Sequence, residues 1–269
     1  MILPLAYGHC NVSVMPLRGE PSHRAEQTSQ LLYGERVEII EVNKSEWAKV
    51  RCAWDGYDGW CKKSQLSVIS RKDFLKPLKF MAGTNGDRII LEDGDLWLPA
   101  GSDLIGYKGG KLIPVKAQGK YKGKKITIAE VKPSSENLRK AAMLYMHAPY
   151  QWGGRSIAGI DCSGLSQMAY KMCNIPILRD ASQQATQGEL VDFLQHAQCG
   201  DLAFFDDKDG RIVHVGILID NQNIIHATET SGRVVMDRID QGGIISVALR
   251  KRTHNLRMVR RMVYETKSI

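Results

Sequence analysis

Tyr150-Gln-Trp-Gly-Gly-Arg-Ser-Ile-Ala-Gly-Ile-Asp-Cys-Ser-Gly-Leu165 puts a cysteine, Cys162, between an aspartate and a serine just where a helical pattern begins. The helix is expected to run from about Cys162 to Cys173, with Leu165, Met168, Ala169 and Met172 on its buried stripe, and Asn174-Ile-Pro176 ends it. Cys162 then sits on the first turn. There the positive end of the helix dipole and free backbone N–H groups favour a thiolate, the reactive form of the side chain. Such a nucleophile needs a base. Downstream, the strand-like run Arg211-Ile-Val-His-Val-Gly-Ile-Leu-Ile219 carries His214, and Asn223-Ile-Ile-His-Ala-Thr228 carries His226. Cysteine, base and base-orienter thus follow one another in chain order.

The order is testable by parity. If 213–219 and 223–228 form a hairpin, the two histidines share a face only when the connecting loop has an odd number of residues. A two-residue turn at Asn221-Gln222 would set them on opposite faces. The strand around His214 is almost continuously apolar, which suggests burial on both faces and a base shielded from water.

Five short segments, Trp152-Gly-Gly, Asp161-Cys-Ser-Gly-Leu, Gly200-Asp-Leu-Ala-Phe-Phe, His214-Val-Gly-Ile and Ile225-His-Ala, together resemble the NlpC/P60 cysteine peptidases, from about Tyr150 to Thr228. His214 lies 52 residues after Cys162, and His226 a further 12, which also fits. The resemblance implies Cys162, His214 and His226 as the catalytic set. It also implies a papain-like α+β catalytic domain, helices first and antiparallel sheet second, with no cofactor. Without it, His214 on an apolar strand would read as an ordinary core histidine. The other cysteines, Cys10, Cys52, Cys61, Cys173 and Cys199, read as small buried side chains.

A chain of 269 residues implies two or three domains. From about Gly8 to Ile69, short alternating runs such as Arg36-Val-Glu-Ile-Ile-Glu-Val42 and Trp47-Ala-Lys-Val-Arg-Cys52 read as strands of a small β-barrel. Leu31-Leu-Tyr-Gly-Glu35, Trp47-Ala-Lys-Val50 and Asp58-Gly-Trp60 resemble bacterial SH3 (SH3b) domains. A second β-rich stretch, about 74 to 131, with Gly-Asp and Gly-Gly turns, resembles a diverged second SH3b barrel. The expected division is 1–70 and 71–132 for two small SH3-like β-barrels and 133–269 for the catalytic domain. Lys132-Pro-Ser-Ser135, with two serines able to cap a helix, marks the last boundary and precedes an amphipathic helix over Glu136 to Tyr145. A further helix is expected around 182–190, then five short strands between Asp201 and Val263.

Composition narrows the classes. Apolar residues make up 43% and charged residues 25%, ordinary for a globular chain, and no apolar run reaches the 18 residues of a membrane-spanning helix. The net charge of +8 comes with Lys/Arg clusters at 108–125 and 250–261 that read as solvated faces. Basic segments interleaved with exposed aromatics, or a nucleic-acid motif, are missing, so no nucleic-acid partner is expected. Close clusters of ligand residues are missing too, so no metal is expected. Once Cys162 is kept as a thiol, five cysteines remain, an odd number that suits a reducing compartment. The segment Met1 to Gly8 lacks the basic and apolar regions of a leader. A cytoplasmic monomer is therefore expected, with the periplasm or cell exterior the alternative if a leader has been removed.

The combination of SH3b and NlpC/P60 segments looks like the γ-D-glutamyl-L-diamino acid endopeptidases. These cut between D-Glu and the diamino acid of peptidoglycan stem peptides and require a free N-terminal L-Ala. In them the first SH3b barrel supplies a tyrosine and a glutamate to the substrate. Tyr57, in Trp54-Asp-Gly-Tyr-Asp-Gly-Trp60, matches the tyrosine; Glu26 is chosen for the glutamate, with Glu35 in competition. Asp161, Ser163, Ser182 and Trp152 complete the substrate-binding candidates. Three of them have a plain alternative: Asp161 and Ser182 as helix N-caps, Trp152 as a buried aromatic between domains. Two other functions stay open, a wall-peptide binding module with vestigial catalysis, and an amidase or acyltransferase on the same fold.

Overall fold

A computed structural model describes residues 3–112 and 119–262. The chain forms two compact units, Met1–Val131 with Trp152–Ile157, and Lys132–Gln151 with Ala158–Ile269. Part of the basic run at 108–125 and Val263 lie outside the described residues.

The first unit opens with strands β1 (Ala6–Cys10), β2 (Val14–Arg18), β3 (Gln27–Leu32), β4 (Arg36–Val42), β5 (Trp47–Cys52), β6 (Asp58–Lys62) and β7 (Leu66–Ile69). They form one antiparallel sheet in the order β3-β2-β6-β5-β4-β1-β7. The alternating runs explain it: Val37 and Ile39 of β4, with Ala48, Val50 and Cys52 of β5, point into one apolar cluster shared with Met15, Leu17 and Leu31. The Gly-Trp strand β6 joins β5 to β2. Gly59 has a reason to be glycine, since a Cβ there would stand 3.1 Å from the Leu17 Cβ.

After a short helix at Arg71–Phe74, a four-stranded sheet (Gly94–Leu98, Asp87–Leu91, Gly119–Lys122, Lys111–Leu112, in that order) and a pair (Phe80–Ala82 with Lys125–Thr127) enclose a second core. Tyr33, from the end of β3, belongs to that second core. Asp87 organises the turns by accepting from the Tyr121 hydroxyl at 2.6 Å and the Gly83 and Lys124 amides at 2.9 and 3.1 Å.

Residues 152–157 were not foreseen as part of the first unit. They are held there by Arg155, whose guanidinium pairs with Glu35 at 2.7 and 3.0 Å and donates to the Gln30 carbonyl at 2.6 Å. Both partners of this ion pair are buried.

The second unit begins with α1 (Ser135–Met143), capped by Ser134. It continues into α2 (Cys162–Met172), capped by Asp161, whose carboxylate accepts the Gly164 amide at 2.6 Å. Every residue of α2 is buried, wider than the stripe expected from its pattern. Six strands follow rather than five: β8 (Leu202–Asp206), β9 (Ile212–Leu218), β10 (Asn223–Thr228), β11 (Arg233–Asp240), β12 (Gly243–Ser246) and β13 (Lys251–Arg261). They pair in chain order, and β13 closes the ring by pairing with both β8 and β12. One apolar cluster draws Phe205, Leu218, Ile224, Ile239, Ile244 and Val259 from all six strands, which places it inside the ring.

The helix expected over 182–190 is only Ala181–Gln184. Asp180 and Gln183 form a capping box that starts it, but Gly188 at φ +70° turns the chain into the strand Glu189–Val191, which pairs with β13.

Candidate active site

The hairpin of β9 and β10 has the odd loop that the two histidines need. Ile217 faces Ile225 and Leu218 faces Ile224, leaving three residues, 220–222, between the flanking Ile219 and Asn223. His214 and His226 therefore share the inward face with Leu218 and Ile224. Gly216 lies between them on that face, where a Cβ would stand 2.6 Å from Ile224 Cδ1 and 3.0 Å from the His226 Cβ. A side chain at 216 would displace the ring that has to meet His214.

The rings do meet. His214 Nε2 lies 2.9 Å from His226 Nδ1, and His226 Nε2 lies 3.2 Å from Asp237 Oδ2. Asp237 is held below the usual carboxylate range: burial raises it most, but the hydrogen bond from His226, the Val247 amide and the nearby histidines outweigh burial. An ionised carboxylate only accepts, so His226 donates from Nε2, and the single-proton tautomer that does so presents a lone pair at Nδ1. His214 must then donate from Nε2. Its Nδ1 is left as the lone pair, the atom a base needs.

Cys162 meets the strand that carries this base. The Val215 backbone N–H lies against its sulfur, and the Ser163 amide lies close by. The thiol and the His214 ring make no hydrogen bond in this structure. Burial, then the Asp161 carboxylate, push the thiol from 9.0 up to about 12, against the pull of those amides and of Arg179. That rise corresponds to about 4 kcal/mol against the thiolate. A helix N-terminus returns only about 0.3–1 kcal/mol, so the thiolate expected from helix position alone is not the resting form. His214 is pushed well below its ordinary value by burial, then by His226 and His254. Both partners rest neutral.

Asp161 does cap α2, and it does more. Arg179, fully buried, grips the carboxylate through two bonds of 3.1 and 2.6 Å and donates to the Ser163 hydroxyl at 2.7 Å. The Ser163 hydroxyl in turn donates to Asp161 at 3.2 Å. Ser182 is not an N-cap; Asp180 has that position and Ser182 lies inside the short helix. Trp152 is 60% exposed, which rules out a buried aromatic, and its Nε1 donates to Glu26 at 2.6 Å within the first unit. Glu35 is spent on Arg155 and the Leu32 amide, which leaves Glu26 as the accessible glutamate of the two. Tyr57 sits half-buried in the turn before β6, packed against the first core.

Four residues of this region escaped the sequence reading: Asp237, Arg179, His254 and Tyr150. Asp237 had a signal, because it shares parity with the buried Ile239 on an alternating strand. Tyr150 lies in the electrostatic neighbourhood of Cys162 and Asp161, and its phenol is pushed up, by burial first. His254 stacks on His214, with ring centroids 4.2 Å apart. All six cysteines are unpaired, and no cluster of three metal-ligating side chains occurs among the described residues.

The NlpC/P60 family matches residues 147–253, and the bacterial dipeptidyl-peptidase Sh3 domain matches residues 17–66. The gamma-D-glutamyl-L-lysine dipeptidyl-peptidase of Bacillus subtilis (strain 168) is 30% identical over 220 residues, covering 75% of this chain and 72% of that protein. Dipeptidyl-peptidase 6 of Lysinibacillus sphaericus is 25% identical over 249 residues, 84% of this chain and 89% of the other. The crystal structure of an NlpC/P60 family protein from Bacillus cereus ATCC 10987 shares the fold, with a TM-score of 0.80 at 20% identity over 96% of this chain and 100% of that one.

Proposed function

The chain belongs to the NlpC/P60 family of cysteine peptidases, and from that premise we propose that it hydrolyses the γ-D-Glu–L-diamino acid bond of peptidoglycan stem peptides bearing a free N-terminal L-Ala. The observation that carries the chemistry is the Asp237–His226–His214 chain, which leaves a lone pair on His214 Nδ1. The choice of bond leans on likeness to relatives named for γ-D-glutamyl-L-lysine and dipeptidyl-peptidase activity along most of their length.

His214 Nδ1 takes the Cys162 proton as sulfur attacks the amide carbon; the C–N bond breaks as the imidazolium protonates the departing amine. A water molecule then hydrolyses the thioester, giving up its proton through the same ring. The neutral resting pair makes proton transfer part of the attack rather than a prior step. The amide N–H of Cys162 and neighbouring backbone donors stabilise the oxyanion. For the free ammonium, which needs oxygen acceptors when it leaves water, Asp161, Ser163 and Ser182 are the candidates of the catalytic unit, and Glu26, with Trp152 donating to it, and Tyr57 are those of the first unit. Neither a cofactor nor a metal enters any step. We place the reaction in the cytoplasm, on wall fragments being recycled, as the five cysteines left beside Cys162 suggest.

Mass spectrometry of L-Ala-γ-D-Glu-diaminopimelate and its lysine counterpart, each with a free and an N-acetylated amine, tests this reading. The expected result is release of L-Ala-γ-D-Glu by wild type, none by Cys162→Ala, and none from acetylated peptide. Cleavage of both forms would remove the amine requirement. Cleavage of neither would overturn the reading.

A further inference from the structure

We propose that His254 is a positioning residue for the base, its ring lying flat on His214 and fixing the plane in which His214 Nδ1 meets the thiol. The proposal rests on the peptidase reading above. No step of the mechanism uses His254, which reaches the histidine pair from β13, a strand far along the chain from either.

The geometry is specific. The two rings stand 4.2 Å apart between centroids with an interplanar angle of 23°. The other neighbours meet His214 obliquely or edge-on: His226 at 5.1 Å and 80°, Phe205 at 5.7 Å and 46°. Phe205 and His226 also contact His254, both at 5.8 Å. The bond from His214 Nε2 to His226 fixes one point of the imidazole but leaves the ring free to swing about that line. A flat face against it removes the swing. His254 is itself anchored, its Nδ1 lying 2.9 Å from the Thr253 hydroxyl oxygen.

Charge sharpens the role. The ionisable groups facing His254 are His214 on β9, His226 on β10 and Asp237 on β11. Burial and His226 push His254 down to about 4, with Asp237 opposing. At neutral pH it is therefore an uncharged stacking face. A proton on it would set a cation against the face of the base, and that same proximity helps hold His214 neutral.

The test compares His254→Ala and His254→Phe with wild type, using kcat, KM and the pH profile of kcat/KM on the free-amine peptide, Cys162→Ala as the blank, and NMR titration of the His214 ring. For His254→Ala we expect kcat to fall by about 10–100-fold, the scale of a misplaced reacting group, with KM within about twofold. Its acid limb and the His214 titration should both move to higher pH. His254→Phe keeps a flat face and should recover kcat to within a few-fold, while the His214 titration stays slightly raised because no competing proton can then be taken up opposite it. Unchanged kcat and His214 titration in folded His254→Ala would overturn the proposal. Equal impairment of folded Phe and Ala variants would do so as well. If wild type does not cut the peptide, the peptidase reading fails on its own, and the His214 titration still decides whether His254 governs that ring.

Discussion

The N-terminal barrel and the C-terminal ring are both antiparallel, yet they treat a buried histidine in opposite ways. In the first, His9 meets no other histidine or acid among the described residues: its Nδ1 lies 3.0 Å from the Cys10 carbonyl oxygen, Nε2 has no hydrogen-bond partner, and the Tyr33 ring meets it edge-on at 6.4 Å. In the second, the inward face at one end of the ring carries His214, His226, His254 and Asp237, and nitrogen meets nitrogen or carboxylate along the chain. A lone buried imidazole can only be kept neutral by its surroundings. A chain of them ending on a carboxylate is given a direction, and direction is what makes a base.

The histidine chain can lose its charged terminus while keeping its shape. Asp237→Asn can donate to His226 Nε2, which reverses the tautomers and puts a proton on His214 Nδ1. We expect kcat to fall by about 10²–10⁴-fold with little change in KM, read in steady-state assays. Asp237→Glu should lose less. A fall under threefold in the Asn variant would mean that the carboxylate does not set the tautomers.

Gly216→Ala tests whether the ring was built around its histidines. The added Cβ meets Ile224 and His226 within 3.0 Å, so we expect destabilisation of about 1–3 kcal/mol in denaturant titration together with a loss of activity. In the first barrel, Gly59→Ala crowds only Leu17. It should cost about 1 kcal/mol or less and leave the activity alone.

The smallest expected effect is on stability against pH. His9, His214 and His254 all lie below the ordinary histidine value, burial being the leading cause. The unfolded chain takes up protons near pH 6.5 that the folded chain refuses. Their contribution to stability is therefore whole above pH 6.5 and is lost as the pH falls, by up to about 1.4 kcal/mol per pH unit for each histidine. His9→Phe should flatten that slope by one histidine without touching peptide cleavage, as urea titrations between pH 7 and 5 would reveal. If cleavage fell with it, His9 would not be the isolated core residue described here.

The same contrast explains what the sequence could and could not disclose. The first barrel was readable because β4 and β5 alternate cleanly and their turns carry Gly, Asn and Asp. The meeting of His214 and His226 was readable from the hairpin parity, which held. Asp237 was within reach, an acid at an inward position of an alternating strand. His254 was not, because β13 shifts register against both β8 and β12. Leu256 and Val259, of opposite parity, consequently pack against one core, so no count along Lys251-Arg-Thr-His-Asn-Leu256 fixes which way His254 points. Arg179 lies three residues after Pro176 in an irregular segment, where no periodicity marks a residue as buried. The thiolate expected at Cys162 failed for a reason of magnitude: a helix terminus is visible in a sequence, and the depth of burial that outweighs it is not.

Nitrogen NMR of the imidazole rings at pH 7 measures the direction of the histidine chain most directly. The prediction is a neutral His214 with its proton on Nε2 and a lone pair on Nδ1, and a His226 proton on the Nε2 that faces Asp237, with the His214 proton moving to Nδ1 in Asp237→Asn. A proton on Nδ1 of wild-type His214, or an imidazolium there at pH 7, would contradict it.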